Sequence, residues 1–318
     1  MQDLHHASTV IRATNLTKHY GSLTAVNNLN LDIYQGEIVG FLGPNGAGKT
    51  TSINMICGLL RPDDGEISIN NLPASRNIRL RNSFGLCPQD VILWPKLTCL
   101  EQLTFVGEMY NMPAYDARKS GMRLLDQLGL SGRSRSLAST LSGGMKRRLN
   151  ICLALVHDPE VVVLDEPEAG LDPQSRVMVR DFIRSLQKSK TVILTTHNMD
   201  EADRLSDRVA IIDNGSLLLT DTPENLKKTA GTGDVLEIIL GNHSDHSLQM
   251  TLDRLRQISP NIHLSEDSLL FRERNAIELI PQITACIQEG SIAISEIKMR
   301  ANTLEDVFIQ LTGKRLRE

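Results

Sequence analysis

The stretch Gly43-Pro-Asn-Gly-Ala-Gly-Lys-Thr50 constrains this chain more than any other part of it. It fits the pattern G-x-x-x-x-G-K-[ST] and sits where that pattern has a mechanism, after the apolar run Ile38–Leu42 and before a helical pattern over about 48–59. Gly43, Gly46 and Gly48 let backbone N–H groups converge on phosphate oxygens. The helix that follows adds the positive end of its dipole. Pro44, Asn45, Ala47 and Thr51 complete the loop and the first helical turn. Lys49 would reach the β- and γ-phosphates of a nucleotide, and Thr50 would offer its hydroxyl to Mg²⁺. The competing reading, a glycine-rich turn before an ordinary helix, lacks a reason for the lysine and for the flanking strand.

The first 230 residues alternate apolar strand-like runs with helical patterns, which predicts an α/β domain over 1–230. Val161–Leu164 and Thr191–Leu194 are apolar almost throughout, as in central strands covered on both faces. Helices are expected over 173–187 and 199–205. From about 90 to 156 the strand signals stop. Thr98-Cys-Leu-Glu101 starts a helix as a capping box, another runs over about 114–129, and a third begins near Ser142. This is a helical insertion.

The run at 161–164 ends in Asp165-Glu166, so a buried strand delivers two acids to the crevice edge of the sheet. Asp165 would hold Mg²⁺ through water, and Glu166 would orient and deprotonate an attacking water. Asp-Glu after a strand is common in loops; its weight comes from the phosphate loop in the same sheet. Leu194-Thr-Thr-His197 repeats the placement. A histidine there is often only a cap, but the shared edge favours a γ-phosphate contact.

A second domain is expected over 231–318, after Ala230-Gly-Thr-Gly233. Its order is strand 234–240, helix 246–258, two strands within 262–273, a helix to 289, strand 291–298 and helix 303–312. That βαββαβ order predicts a small ferredoxin-like α+β unit. Lys plus Arg number 34 against 38 Asp plus Glu, a net charge of −4, which argues against a nucleic-acid partner. No apolar run approaches the roughly 18 residues of a membrane span. The five cysteines lack metal or disulfide spacing.

Together these residues resemble the ATP-binding subunit of an ABC transporter. Leu141-Ser-Gly-Gly-Met145 matches that family's signature. Ser142 follows Lys49 by 93 residues (142 − 49) and precedes Asp165 by 23 (165 − 142). The resemblance covers about residues 8–222. It implies a P-loop ATPase core that hydrolyses ATP with Mg²⁺. Tyr20 takes the place of the aromatic residue that stacks on adenine, with a packed turn tyrosine as the alternative. Gln89 takes that of the Q-loop glutamine that senses Mg²⁺ and the attacking water, with a surface glutamine as the alternative. Gly170-Leu-Asp172 matches the D-loop, and His197 matches the switch histidine.

One phosphate loop and one signature per chain then imply a head-to-tail pair with a second copy or a sister subunit. Ser142, Gly143 and Gly144 would close over the other subunit's ATP. The resemblance further implies a separate transmembrane permease and a peripheral place on the cytoplasmic face of the membrane. Met145 followed by Lys-Arg-Arg, and the closing Thr303-Leu-Glu-Asp-Val-Phe308, look like the drug- and lipid-exporting (ABC-2 type) branch. Trp94 is expected either to line a groove for the membrane subunit or to pack inside the insertion. Glu168 stands where the family usually has Thr or Ser, and a further carboxylate two residues from Glu166 is expected to perturb it. A low-turnover regulatory subunit and a soluble ABC ATPase of DNA maintenance or translation are the competing functions.

Overall fold

A computed structural model describes residues 8–73, 83–230, 234–241, 245–259, 262–265, 268–273 and 276–313. The chain divides into two compact units between Pro223 and Glu224. In the first unit the order opens with β1 (Thr9–Tyr20), β2 (Leu23–Tyr34), β3 (Ile38–Leu42), α1 (Lys49–Ile56), β4 (Asp64–Ile69), β5 (Leu72–Pro73) and β6 (Phe84–Cys87). It continues through α2 (Cys99–Met109), α3 (Ala114–Gln127), α4 (Gly143–Leu155), β7 (Val161–Asp165) and α5 (Pro173–Leu186). It closes with β8 (Thr191–Thr196), α6 (Met199–Leu205), β9 (Arg208–Asp213) and β10 (Ser216–Asp221).

Two sheets result. The central one has the order β10-β9-β3-β8-β7-β6. β6, β7, β8, β3 and β9 pair in parallel, and β10 adds an antiparallel edge. The other sheet, β2-β1-β4-β5, is antiparallel. Alternation along the central strands explains why they read as continuous apolar runs. Val162, Leu164, Val192 and Leu194 point into a core shared with α2, α3 and α4. Val161, Val163, Ile193, Val39 and Phe41 point into a second core with α1 and the antiparallel sheet. Both faces are covered, so no polar alternation appears.

The helical insertion is present: among the described residues no strand lies between β6 and β7, only an isolated bridge, Thr98–Leu137. The capping box on α2 forms as expected, with Thr98 Oγ1 accepting from Glu101 N and Glu101 Oε2 accepting from Thr98 N. α1 ends at Ile56, earlier than its pattern suggests, and Gly58 follows in a left-handed conformation.

The division falls inside α7 (Pro223–Asn225), which passes into a π-helical turn, Leu226–Ala230. The second unit contains β11 (Asp234–Leu240), α8 (Asp245–Ile258), β12 (Ile262–Ser265), β13 (Ser268–Glu273), α9 (Ala276–Glu289), β14 (Ile294–Arg300) and α10 (Leu304–Thr312). The strands form one antiparallel sheet in the order β12-β13-β11-β14, the arrangement of the expected ferredoxin-like unit. β14 starts later than its sequence suggests, because Ser291 takes a positive φ and Ile292 N bonds Ile287 O in the preceding turn. Leu304, Val307 and Phe308 on α10 are buried within the chain, while Leu311 stays exposed. α10 packs on the Leu226–Ala230 turn, which therefore belongs with this unit. Of the expected linker, residues 231–233 lie outside the described residues.

Helix α4 sits so close to β6 that an ideal Cβ on Gly85 would lie 1.9 Å from Ala154 O. A backbone carbonyl cannot yield as a side-chain tip can. Gly85→Ala is expected to cost about 1–3 kcal/mol through overpacking, read as a lower denaturation midpoint. An unchanged midpoint would mean that α4 and β6 are not held at this distance.

Candidate functional site

Because β3, β8, β7 and β6 are parallel, their C-terminal ends meet at one edge of the sheet. The register sets Leu42 beside Thr196, Asp165 beside Thr195, and Cys87 beside Leu164. The residues just beyond each strand are therefore neighbours: the phosphate loop after β3, Glu166 after β7, His197 after β8, and Gln89 after β6.

The loop after β3 turns into α1 at Gly48, whose φ is +100° and whose ideal Cβ would lie 2.4 Å from Ala25 O. Only glycine satisfies both conditions. The first turn of α1 has no side-chain cap, so its N–H groups stay directed at the loop. Lys49 is buried and donates to the carbonyls of Gly43 and Pro44 at 2.7 and 2.9 Å. Burial lowers its pKa, while Glu166 and Asp165 oppose that shift. Thr50 Oγ1 lies 3.3 Å from Asp165 Oδ2, so a hydroxyl and a carboxylate oxygen form one small oxygen cluster. Such hard donors suit Mg²⁺ when nucleotide phosphates supply further oxygens.

Glu166 is the focus of the edge. It is 8% exposed and has φ +51°, in the left-handed region. Its backbone N–H bonds Thr195 Oγ1 at 3.0 Å. Its carboxylate meets His197 Nδ1 at 2.7 Å through Oε1 and accepts from Gln89 Nε2 at 3.2 Å through Oε2. The structure thus brings Gln89, Glu166 and His197 together, with Asp165 at the end of β7 and Lys49 and Thr50 at the start of α1 close by.

Tyr20 ends β1 half-exposed, with Lys18 Nζ 5.9 Å from its ring centroid. Ser142 caps α4 by accepting from Met145 N at 3.3 Å. Ser142 and Gly143 are exposed, and Gly144 faces Leu171, Asp172 and Ser175 rather than the phosphate loop of its own chain. Asp172 caps α5 through Ser175 N and Ser175 Oγ.

Three features escape a reading by motif. Thr195 bonds both Asp165 Oδ1 and Glu166 N, which ties the two acids to β8. Arg147 donates to five carbonyls around Gln89 and Glu166. Glu168, expected to crowd Glu166, instead accepts a two-pronged bond from Arg180 at 3.0 and 2.8 Å, with Arg176 at 3.7 Å. Its charge is compensated inside the fold. No local pattern announced Arg180, which lies partly buried on α5 twelve residues later.

The fold and this edge define a P-loop nucleotide hydrolase with a helical insertion that includes α4, capped by Ser142. The family described as "ABC transporter" matches residues 26–169. The linearmycin resistance ATP-binding protein LnrL of Bacillus subtilis strain 168 is 32% identical over 311 residues, 97% of this chain and 100% of that protein. The Nod factor export ATP-binding protein I of Burkholderia orbicola is 37% identical over 306 residues, 96% of this chain and 97% of that protein. A solved dimeric ATP-binding cassette in a post-hydrolysis state, bound to ADP and Pi, is similar with a TM-score of 0.62 and 27% identity. It covers 67% of this chain and 98% of the solved one. The chain belongs to the ABC transporter family, as one of its ATP-binding, ATP-hydrolysing exporter subunits.

One acid beside the site serves no step. Glu201 on α6 is 5% exposed; Thr196 donates to its Oε2 at 2.6 Å, and its Oε1 has no hydrogen-bond partner among the described residues. Desolvation, with help from the charges of Glu168 and Glu166, pushes its pKa from 4.5 to about 7. The folded state therefore holds this proton more tightly than the unfolded state does. That contribution to stability is complete below the ordinary pKa and is lost as pH rises through about 7. Its size is on the order of 3 kcal/mol. Glu201→Gln, which cannot ionise, is expected to melt at a higher temperature than wild type at pH 8, with the gain shrinking toward pH 5. An equal gain at both pH values would remove the titration argument.

Proposed function

We propose that this subunit works as a head-to-tail pair, with a second copy or a sister subunit, and drives export of a drug- or lipid-like compound through a separate transmembrane permease. The relatives' names, linearmycin resistance and Nod factor export, support a small-molecule cargo that the membrane subunit selects. Among the described residues no helix is long and apolar enough to cross a membrane, which fits a subunit held peripherally at the cytoplasmic face.

The observation that carries the chemistry is the convergence of His197 and Gln89 on the Glu166 carboxylate. Glu166 accepts a proton from the attacking water, and Gln89 and His197 hold its two oxygens in place. Lys49 and the loop N–H groups of Gly43 to Thr51 take the charge of the phosphates. Thr50 and Asp165 would hold Mg²⁺, with Gln89 near; when bound, the ion supplies charge neutralisation on the phosphates. Tyr20 offers a ring face to adenine. Ser142, Gly143 and Gly144 present an exposed helix N-terminus to the partner's γ-phosphate. Glu168 was the sequence support for a subunit with little hydrolysis, and its pairing with Arg180 takes that support away.

A groove of about 420 Å³ beside the Q-loop is lined by Pro88, Ile92, Trp94, Tyr110 and His157, among others. Trp94 is 40% exposed and meets Phe105 edge-on, 5.5 Å between centroids. An amphipathic ring beside a groove suits a helix from the membrane subunit. The second unit, which begins at Glu224, serves as an accessory domain that stabilises the pair or regulates its closure. Its described residues hold no cluster of three metal-ligating side chains.

Three substitutions test this reading. Glu166→Gln is expected to bind ATP, to lose at least about a hundredfold in turnover, the general-base contribution, and to accumulate a closed dimer on size-exclusion chromatography. Lys49→Ala should instead lose nucleotide binding. Wild-type turnover by Glu166→Gln would end its assignment as base. Trp94→Ala is expected to leave ATP turnover and melting temperature near wild type while transport by the reconstituted pair with permease falls. Loss of stability and ATP binding together would make Trp94 a core residue.

A further inference from the structure

Arg147 lies on α4, five residues beyond Ser142, and is 3% exposed. Its guanidinium donates from Nη1 to Pro88 O at 2.6 Å and Gln89 O at 2.8 Å. From Nη2 it donates to Asp165 O and to Glu166 O, the latter at 2.7 Å, and from Nε it reaches Pro167 O at 3.5 Å. Five N–H groups thus meet five main-chain carbonyls, the full donor capacity of an arginine. Two of these carbonyls belong to the segment that carries Gln89, and three to the turn that carries Glu166. Asn150, one turn further along α4, approaches Pro88 O and Asp90 O from the same side, each at 3.5 Å. The neighbouring Arg148 is comparably buried but bonds Leu128 O and Met178 Sδ, away from this edge.

The Glu166 turn needs such a tie. A non-glycine residue at positive φ is strained and persists only where its surroundings fix it. Hydrogen bonds to a charged donor are among the stronger ones, and three of them reach residues 165–167. We infer that Arg147 is a positioning residue: its planar fork fixes the spacing between the Q-loop and the Glu166 turn and couples both to the signature helix. This rests on Glu166 acting as the base. A lysine would keep the charge, but its single nitrogen on a flexible stem cannot span both segments.

The test uses the full chain, with kcat counted per site that binds ATP, so that an unfolded fraction drops out. Arg147→Lys is expected to lower kcat at least about tenfold, since small misplacement of a reacting group is costly, with KM for ATP within about threefold of wild type. Arg148→Lys, which removes a comparably buried fork, is expected to lower stability but keep kcat within about twofold. In a Glu166→Gln background, Arg147→Lys is expected to change the residual rate less than about twofold, because two residues acting through one step are not additive. Wild-type kcat in Arg147→Lys, a loss confined to KM, or an equal kcat loss in Arg148→Lys overturns the proposal. Wild-type turnover in Glu166→Gln would instead overturn the base assignment on which it rests.

Discussion

Parallel hydrogen bonding among β6, β7, β8 and β3 decides where everything chemical in this subunit lies. Parallel strands end their runs at the same edge, and both faces of the sheet are sealed by apolar cores. Polar residues can then gather only beyond the strand ends, where the backbone is free of the ladder. Four segments far apart in the chain, at 43–50, 88–89, 165–166 and 195–197, are forced into one row. The antiparallel edge strand β10 and the antiparallel sheet take no direct part in this row, although Ala25 O of β2 presses on Gly48 and dictates glycine there.

At that edge Lys49, Asp165, Glu166 and Thr195 are buried, and each meets a specific neighbour. Thr195 holds Asp165 and the Glu166 N–H, Lys49 lies over two loop carbonyls, and Arg147 takes up five more. A buried polar group left unpaired costs about 1–3 kcal/mol, so this network also resists rearrangement. The strain at Glu166 is local and its compensation comes from α4. That helix carries the signature at its start and touches the Q-loop along its length. Its position and the catalytic geometry are linked through hydrogen bonds rather than through apolar packing alone.

The acids near Glu166 illustrate how burial and pairing, rather than proximity in sequence, set electrostatics. Glu168 is two residues from Glu166, yet its carboxylate is engaged by Arg180 on α5. Glu201 lies far along the chain, and the proton affinity of its carboxyl is raised, first by desolvation and then by its charged neighbours. Counting charges along the sequence misses these partners, because α5 and α6 decide which carboxylate meets a guanidinium and which meets a hydroxyl.

By itself the sequence determined the features that short-range chemistry dictates. Alternating apolar runs and capping signals placed β3, β7 and β8, the helices, and the strands of the second unit within a few residues, while the antiparallel sheet β2-β1-β4-β5 and the strands β6, β9 and β10 were not read. The glycine-rich loop, Asp165-Glu166 and His197 were legible because each sits where a strand pattern stops, and Gln89 only through the family resemblance. Boundaries failed where the backbone turns on a positive φ, at Gly58 and Ser291, since such turns leave little trace in hydrophobic periodicity. Only the tertiary structure could decide which distant side chains complete the site. Arg147 reads in sequence as one basic residue in a Met-Lys-Arg-Arg run, and Arg180 as one of several on an amphipathic helix. Their roles depend on which carbonyls and carboxylates the packed sheet and helices bring within about 3 Å, the reach of a hydrogen bond, and no local pattern carries that information.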